Sequence, residues 1–318
     1  MLVDRHCHID RPEFKDDLDG VVARAKAAGV GVLVNISTRM RRFDEVKAVI
    51  ERFDNVYGSV GTHPHQADEE LDIPVAEIVK LSKHPKVIAI GEAGLDYYYK
   101  HSSPAGQAQG FRNHIAAARE TGLPLEIHSR DADADTLAIL KQEHAKGAFP
   151  AILHCFTGGR DLAMGALDLG LFVSFSGVIT FKKSEALREI AREVPLDRLF
   201  VETDAPFLAP EPYRGKRCEP AYVVHTAQAL ANAKGVSLDD IARATTDNFF
   251  GLFTKAKPPL ASPPPSWGRP GGGESQLSAL GIPLTPNSSP RGGGGFAPNP
   301  AQVQAKLGSA KTGGGESR

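Results

Sequence analysis

The chain has 318 residues, of which 41% are hydrophobic and 24% charged, a composition typical of soluble globular proteins with a sizeable core. Its formal net charge of -1 excludes the strongly basic surface that coats duplex nucleic acid, so any contact with nucleic acid should be local. The sequence lacks a secretory signal and the ~18 uninterrupted apolar residues of a membrane span. Its three cysteines have no C-x-x-C spacing. We therefore expect a cytoplasmic protein with reduced thiols and no membrane partner.

Short apolar or β-branched runs alternate with helix-like amphipathic segments through the first 257 residues. Eight strands are predicted, at 2–4, 30–37, 56–61, 87–92, 123–128, 150–155, 171–177 and 198–204. Segments 18–29 and 110–122 show helical spacing, and Gly122 and Pro124 stop the second. Eight such repeats over about 250 residues predict an α/β fold, a (β/α)₈ or TIM barrel, with a doubly wound open sheet as the alternative.

Composition changes sharply after Lys257. Eleven prolines and 13 glycines fall among residues 258–318, and no helix or strand periodicity is visible there. Such a composition rarely forms a packed core, so we predict a folded domain at 1–257 and a disordered tail at 258–318. The tail's five basic and two acidic residues make weak nucleic-acid binding the less favoured role for it.

Polar side chains concentrate at the carboxyl ends of the predicted strands. Six of the 11 histidines lie there together with two carboxylates. These residues are His6, His8, His63, His65, Glu92, His128, His154 and Asp204. The carboxyl ends of barrel strands share one face, where barrel enzymes carry their active sites, so these side chains should converge. In the stretch VDRHCHID, strand alternation points His6 and His8 to one side and Cys7 to the other.

The predicted cluster is too rich in ligands for one metal ion. A tetrahedral ion with an open position takes three protein ligands. Six candidates are available: His6, His8, Glu92, His128, His154 and Asp204. Two divalent ions about 3.5–4 Å apart, bridged by a carboxylate, fit better and would support hydrolysis. Nitrogen and oxygen donors suit Zn, Mn, Co or Ni, with Mg possible. Cys7 and Cys155 each follow a ligand by one residue and should turn away as core thiols.

Eight sequence blocks resemble, in order, the motifs of the TatD family of metal-dependent deoxyribonucleases. The blocks are VDRHCHID, GTHPH, IGEAGLDYYY, LEIHSRDA, LHCFTGG, VSFSGVITFK, VETDAPFLAP and TTDNFFGLF, and they cover roughly residues 1–255. The resemblance implies a TIM barrel of the amidohydrolase type with two divalent metals. It also implies phosphodiester hydrolysis, often as a 3′-to-5′ exonuclease on single-stranded DNA or RNA. Such a protein takes single-stranded 3′ ends as substrate, and no obligatory protein partner is expected.

The resemblance also implies a role for each matching residue. One metal would be held by His6, His8, Glu92 and Asp204, and the other by Glu92, His128 and His154, with Glu92 as the bridge. Asp204 would orient and deprotonate the attacking water, so Glu92 and Asp204 are the expected catalytic residues. His63 and His65 would be substrate-binding groups.

Three further features depend on position alone. Arg130 follows His128 by two residues and can bind a phosphate oxygen, or alternatively pair with Asp131. Glu202 precedes Asp204 by two residues and is predicted to support a metal ligand. The tyrosines at 97–99 can stack on a terminal base or simply pack.

The sequence departs from the family pattern at three positions. Arg5 stands where Ser is usual, Thr62 replaces an apolar residue and Ala93 replaces Cys. None of these changes removes a ligand.

Two other functions remain open. One is a dimetal amidohydrolase or deacylase that cleaves amide or ester bonds. The other is a non-catalytic nucleic-acid-binding scaffold that works through the tail.

Overall fold

Parallel strands and intervening helices make up most of residues 1–258, the part of the chain that this computed structural model describes. The strands are β1 (Leu2–Cys7), β2 (Val30–Asn35), β3 (Val56–Val60), β4 (Val87–Asp96), β5 (Leu125–Arg130), β6 (Ala151–Leu153), β7 (Phe172–Phe175) and β8 (Leu199–Val201). The helices are α1 (Leu18–Ala27), α2 (Phe43–Arg52), α3 (Ala67–Glu70), α4 (Val75–Leu81), α5 (Pro104–Thr121), α6 (Asp133–His144), α7 (Arg160–Asp168), α8 (Glu185–Glu193), α9 (Val223–Lys234) and α10 (Leu238–Leu252). Beyond Pro258, the predicted tail lies outside the described residues, and its separation from the domain stays a prediction.

The eight strands form one sheet in sequence order, and every neighbouring pair is parallel. The first and last strands meet at a seam, where Cys7 and Ala205 form a parallel bridge. The backbone amide of Asp204 donates to the His6 carbonyl at 2.9 Å, and that of His8 donates to the Ala205 carbonyl at 2.8 Å. The sheet is therefore closed. The predicted TIM barrel is confirmed, and the open doubly wound alternative is wrong.

Apolar side chains fill the barrel interior below the polar side chains at the carboxyl ends of the strands. This interior cluster includes Val3 and Phe200, and it is joined by Phe249 of α10 and by Phe253, the residue after that helix. A larger cluster packs the other faces of the strands against the surrounding helices. Burial on both faces explains why the strands read as continuous apolar runs rather than as alternating patterns.

Strand β4 runs four residues past its predicted end at Glu92, and it pairs with β5 as far as the Asp96–Arg130 pair. Gly91 and Gly94 look like strand breakers in the sequence, but both adopt positive φ within the strand. A Cβ at Gly94 would lie 2.0 Å from the backbone oxygen of His128. This close approach brings β4 against the segment that carries His128.

The start of α10 is fixed by its own side chains. The Ser237 hydroxyl accepts from the Asp240 amide at 3.1 Å, and the Asp240 carboxylate accepts from the Ser237 amide at 3.2 Å, which completes a capping box.

Replacing Ser237 with Ala should lower the free energy of unfolding by about 1 kcal/mol, because the Asp240 amide at the start of α10 loses its hydrogen-bond acceptor. Urea denaturation measures this change. The control Lys141→Ala, at an exposed position of α6, should change it by less than about 0.5 kcal/mol. Equal effects for the two variants would contradict the capping role.

Candidate metal centre

Glu92 of β4 lies at the centre of five imidazoles and is only 2% exposed. Its Oε1 is 2.7 Å from His154 Nε2, 2.9 Å from His128 Nδ1 and 3.4 Å from His63 Nε2. Its Oε2 is 3.4 Å from His6 Nε2 and 3.8 Å from His8 Nε2. One carboxylate thus joins imidazoles from the ends of four other strands, β1, β3, β5 and β6.

His6 and His8 form one side of this group, with Asp204 between them. Asp204 Oδ1 lies 3.3 Å from His8 Nε2 and 3.9 Å from His6 Nε2. The backbone carbonyl of Ile36 lies 2.9 Å from His8 Nδ1, which leaves His8 Nε2 for the cluster. His6 Nε2 is buried and has no hydrogen-bond partner. A buried nitrogen of this kind, facing two carboxylates, fits a metal ligand.

The other side of the group contains His63, His128 and His154. Three sets of donor atoms lie within 4.8 Å of one another: His6–His8–Glu92, His63–Glu92–His128 and His6–His154–Glu202. All six predicted ligands therefore converge on one place. His63, predicted as a substrate-binding group, lies as close to Glu92 as His6 does. Imidazole and carboxylate donors together suit the divalent ions expected from the sequence.

Glu92 and the imidazoles around it shift the pKa values of one another. Burial alone would raise the pKa of Glu92, but the imidazoles of His154 and His63 and hydrogen bonds from His128 and His154 hold that pKa well below its usual value. Burial would lower the pKa of His154, but the Glu92 and Glu202 carboxylates hold it well above its usual value. Glu92 is therefore a negative carboxylate, and His154 beside it is an imidazole that attracts a proton or a cation.

Asp204 is the carboxylate of this cluster best placed to meet water. Its side chain is 13% exposed, against 3% for that of Glu92. It adopts a left-handed backbone conformation with φ of 59°, which Asp tolerates better than most residues. Its amide is tied to the His6 carbonyl at the seam, so the backbone holds the carboxylate over the cavity floor.

Asp96, at the end of β4, is a site residue that the sequence analysis missed. Its Oδ2 is 2.9 Å from His65 Nε2 and 3.2 Å from His128 Nε2. Its Oδ1 accepts from the amides of Tyr98 and Tyr99. Burial would raise the pKa of Asp96, but hydrogen bonds from His128 and His65 hold it well below the usual value. Asp96 therefore remains a carboxylate that accepts the Nε2–H proton of His128.

Replacing Asp96 with Asn should weaken metal binding about 10- to 100-fold, because His128 loses the carboxylate that holds its Nε2–H and leaves Nδ1 available to a metal ion. Competition with a chromophoric chelator measures the affinity. The matched control Asp135→Asn removes a carboxylate that accepts from the Tyr97 hydroxyl at 2.8 Å, and it should leave the affinity unchanged. Wild-type affinity in Asp96→Asn would exclude this role.

A cavity of about 380 Å³ opens above the cluster and is lined by Glu92, His65, His128, Asp204 and Arg130 among others. The Arg130 guanidinium lies 4.0 Å from the ring centre of Tyr98 and 4.9 Å from that of Tyr99. The tyrosines hold Arg130 at the cavity wall.

Glu202 lies beneath His154. Its Oε1 accepts from the Cys155 amide at 2.6 Å and lies 3.3 Å from His154 Nδ1. Its Oε2 accepts from the Ser174 hydroxyl at 2.5 Å and from Arg5 at 2.9 Å. Burial would raise the pKa of Glu202, but Arg5 and His154 hold it below the usual value. This position suits the supporting role expected from the sequence.

Cys7 and Cys155, the two thiols next to candidate ligands in the sequence, differ in burial. Cys7 is fully buried in the core, as expected. Cys155 instead lines the cavity, with its Sγ 3.2 Å from the Ser176 hydroxyl, so the prediction of a second core thiol is wrong. Strand alternation does not apply to Cys155 because β6 ends at Leu153 and Cys155 has a φ of 42°.

Comparison with known proteins places this site in a family. The sequence model described as TatD related DNase matches residues 3–254. The chain belongs to the TatD family. A TatD-family relative named "Uncharacterized metal-dependent hydrolase YcfH", from Escherichia coli K12, is 43% identical over 256 residues, which cover 80% of this chain and 96% of the relative. The Klebsiella pneumoniae protein named "3'-5' ssDNA/RNA exonuclease TatD" is 34% identical over 259 residues, which cover 79% and 97%.

Solved structures agree with the TatD assignment. The crystal structure of YJJV, a TatD homologue from Escherichia coli K12, is 28% identical, has a TM-score of 0.74, and matches over 80% of this chain and 98% of its own. An uncharacterized amidohydrolase from Saccharomyces cerevisiae is 18% identical with a TM-score of 0.68 over 79% and 99%, and this likeness shows the fold alone. The predicted barrel fold is thus confirmed by these structures.

At the level of class, the chain is a metal-dependent hydrolase of the TatD family, with buried His and Glu clusters able to hold metal. Within residues 1–258, none of the helices has the length and apolar character needed to cross a membrane.

Proposed function

We propose that this protein is a nuclease that removes nucleotides from the 3′ ends of single-stranded DNA or RNA. The observation that carries the proposal is Arg130, an arginine held on two tyrosines beside the His and Glu cluster. The TatD relative named as a 3′-5′ ssDNA/RNA exonuclease supports the same reading.

Arg130 fits a phosphate better than a neutral ester or amide. Both tyrosine rings lie within 5 Å of its guanidinium carbon, which leaves the N–H groups at the edge of the plane for a ligand. A planar fork of donors matches two oxygens of a phosphate. Tyr99, whose ring contacts the Arg130 guanidinium, also lines the cavity.

The catalytic roles follow from position. His6, His8, Glu92 and Asp204 would hold one divalent ion, and Glu92, His128 and His154 the other. Bound divalent ions supply Lewis acidity, which polarises a phosphoryl oxygen and makes a water molecule easier to deprotonate. Asp204 Oδ1 takes the proton of the attacking water, because this carboxylate is the more exposed one. His63 and His65, near the cavity wall, contact the substrate.

Release of mononucleotides from a 3′-labelled single-stranded oligonucleotide tests the proposal. Wild-type protein loaded with Zn²⁺ or Mn²⁺ should release them, and chelator or Asp204→Asn should reduce the rate at least about 100-fold. Arg130→Ala should slow nucleotide release while sparing hydrolysis of an aryl ester in the same site. The control Arg112→Ala removes an arginine that pairs with Glu143, outside the cavity, and should change neither rate.

Two results would overturn the proposal. Ester or amide hydrolysis without nucleotide release, with any divalent ion, would favour the deacylase. If Arg130→Ala slowed nucleotide release and ester hydrolysis equally, Arg130 would no longer support a phosphate as the group that is bound. The cytoplasmic location, the number and identity of the metals, and the lack of an obligatory partner stay predictions. A scaffold function through the tail falls outside the described residues.

A further inference from the structure

Arg5 is a fully buried arginine whose charge the proposed chemistry does not use. It lies on β1, two residues from Val3 of the interior apolar cluster, and its Cζ is 5.6 Å from the ring centre of Phe200 in the same cluster. A charge in such surroundings is costly unless it is paired. The contacts of Arg5 therefore point to what it does.

Its Nη2 reaches two buried carboxylates at once. Glu126 Oε2 lies at 2.5 Å and Glu202 Oε2 at 2.9 Å. Glu126 is on β5, which is opposite β1 in a barrel of eight strands in sequence order, so this pair crosses the interior. Arg5 thus brings together side chains from both sides of the barrel, directly beneath the candidate metal centre.

Each of these carboxylates also contacts a candidate metal ligand. Glu126 Oε2 lies 3.4 Å from His6 Nδ1, and Glu202 Oε1 lies 3.3 Å from His154 Nδ1. The two imidazoles stack at 3.9 Å with an interplanar angle of 9°, and the Nε2 of each faces Glu92. An acceptor at Nδ1 keeps the proton there and leaves the Nε2 lone pair for a metal.

Stability alone does not account for this arrangement. Nε and Nη1 of Arg5 and Oε1 of Glu126 are buried without hydrogen-bond partners. Apolar residues in place of a buried ion pair are often as stable or more so. Without Arg5, however, Glu126 and Glu202 would be two buried carboxylates with no cation between them, and they would not keep their places under the two histidines.

We propose that Arg5 is a positioning residue that acts through Glu126 and Glu202 to orient His6 and His154 and so strengthens metal binding. The proposal rests on the metal-binding part of the proposed function and not on its substrate. Arg5→Met, which keeps the length and apolar stem of the side chain, should weaken Zn²⁺ binding about 10- to 100-fold in competition with a chromophoric chelator.

The matched control is Arg24→Met. Arg24 also binds two carboxylates, Glu219 at 2.7 Å and Asp17 at 2.6 Å, but these lie outside the cavity lining. This variant should bind Zn²⁺ with wild-type affinity. Equal weakening in both variants would mean that a general loss of stability, and not positioning, explains the result.

A second variant tests the connection itself. Glu126→Gln removes the carboxylate beneath His6 but leaves Glu202 beneath His154. In the Zn²⁺-loaded protein, the Nδ1–H proton resonance of His6 should shift, while that of His154 stays in place. Arg5→Met should shift both resonances. If Arg5→Met does not fold, Glu126→Gln alone decides: unchanged resonances with unchanged Zn²⁺ affinity would overturn the proposal.

The nuclease and the positioning role can fail separately. If no loaded protein cleaves an oligonucleotide but Arg5→Met still weakens Zn²⁺ binding, the nuclease is wrong and the positioning role stands. If wild type cleaves and Arg5→Met binds Zn²⁺ and cleaves as wild type does, the positioning role is wrong.

Discussion

Replacing Glu92 with Gln is expected to remove most bound metal and to reduce hydrolysis at least about 1,000-fold, the scale seen when a residue essential to a catalytic group is lost. Glu92 joins both sides of the candidate centre, since its two oxygens approach five imidazoles. Gln keeps the shape but removes the charge, and its amide nitrogen would face imidazole nitrogens that need an acceptor or a metal.

Metal content after dialysis, measured by mass spectrometry of the ions, and nucleotide release are the two readouts. Glu143→Gln is the control, because Glu143 is also buried and is paired at 2.7 Å with both Arg112 and Lys146, away from the cavity lining. Glu143→Gln should keep its metal and its rate. A Glu92→Gln protein with wild-type metal content and rate would show that Glu92 does not bridge the centre.

Replacing Gly94 with Ala is expected to lower the free energy of unfolding by about 3 kcal/mol or more. Its φ of 146° is a conformation that L side chains rarely adopt, and a Cβ there would lie 2.0 Å from the His128 backbone oxygen. That oxygen is a backbone atom and cannot rotate away as the end of a flexible side chain would. Relief therefore requires β4 and β5 to separate, which moves His128 from Glu92.

Gly122→Ala is the matched control for Gly94→Ala. Gly122 also has a positive φ, of 69°, at the end of α5, but nothing lies within 4 Å of its added Cβ. This variant should cost only about 1–2 kcal/mol and leave metal affinity unchanged. Denaturant unfolding and Zn²⁺ competition distinguish the two. Similar losses at both positions would mean that φ, and not contact with β5, limits Gly94.

The repeating pattern of the chain predicts the barrel well because the strands carry apolar runs that are buried on both faces, such as residues 32–34 of β2. The six predicted ligands follow from the same regularity, since side chains at parallel strand ends meet at one face. Local irregularity limits this reasoning. Because of the two glycines, the last four residues of β4 were not predicted as strand, and Asp96 was missed with them. Asp96 is nevertheless an even number of positions from Glu92 and so lies on the same face of the strand.

Long-range pairing is the second limit. Arg5 looked like a departure from the family pattern, and its partner Glu126 is 121 residues away, with nothing in either local stretch to connect them. The prediction that Cys155 is a core thiol was wrong for a different reason. The backbone turns at this residue, so strand alternation does not apply to it. The parts that escaped prediction are thus a glycine-dependent strand, a buried ion pair and a turn, all of them set by tertiary contacts.

The seam between β1 and β8 also has a consequence for how the protein is made. His6 emerges from the ribosome almost two hundred residues before Asp204, yet the two are joined there by a backbone hydrogen bond of 2.9 Å. A nascent or truncated chain that stops before β8 carries most of the ligands but cannot assemble them. We therefore expect full metal affinity only after the ring closes, so that metal binding would distinguish finished molecules from fragments during synthesis.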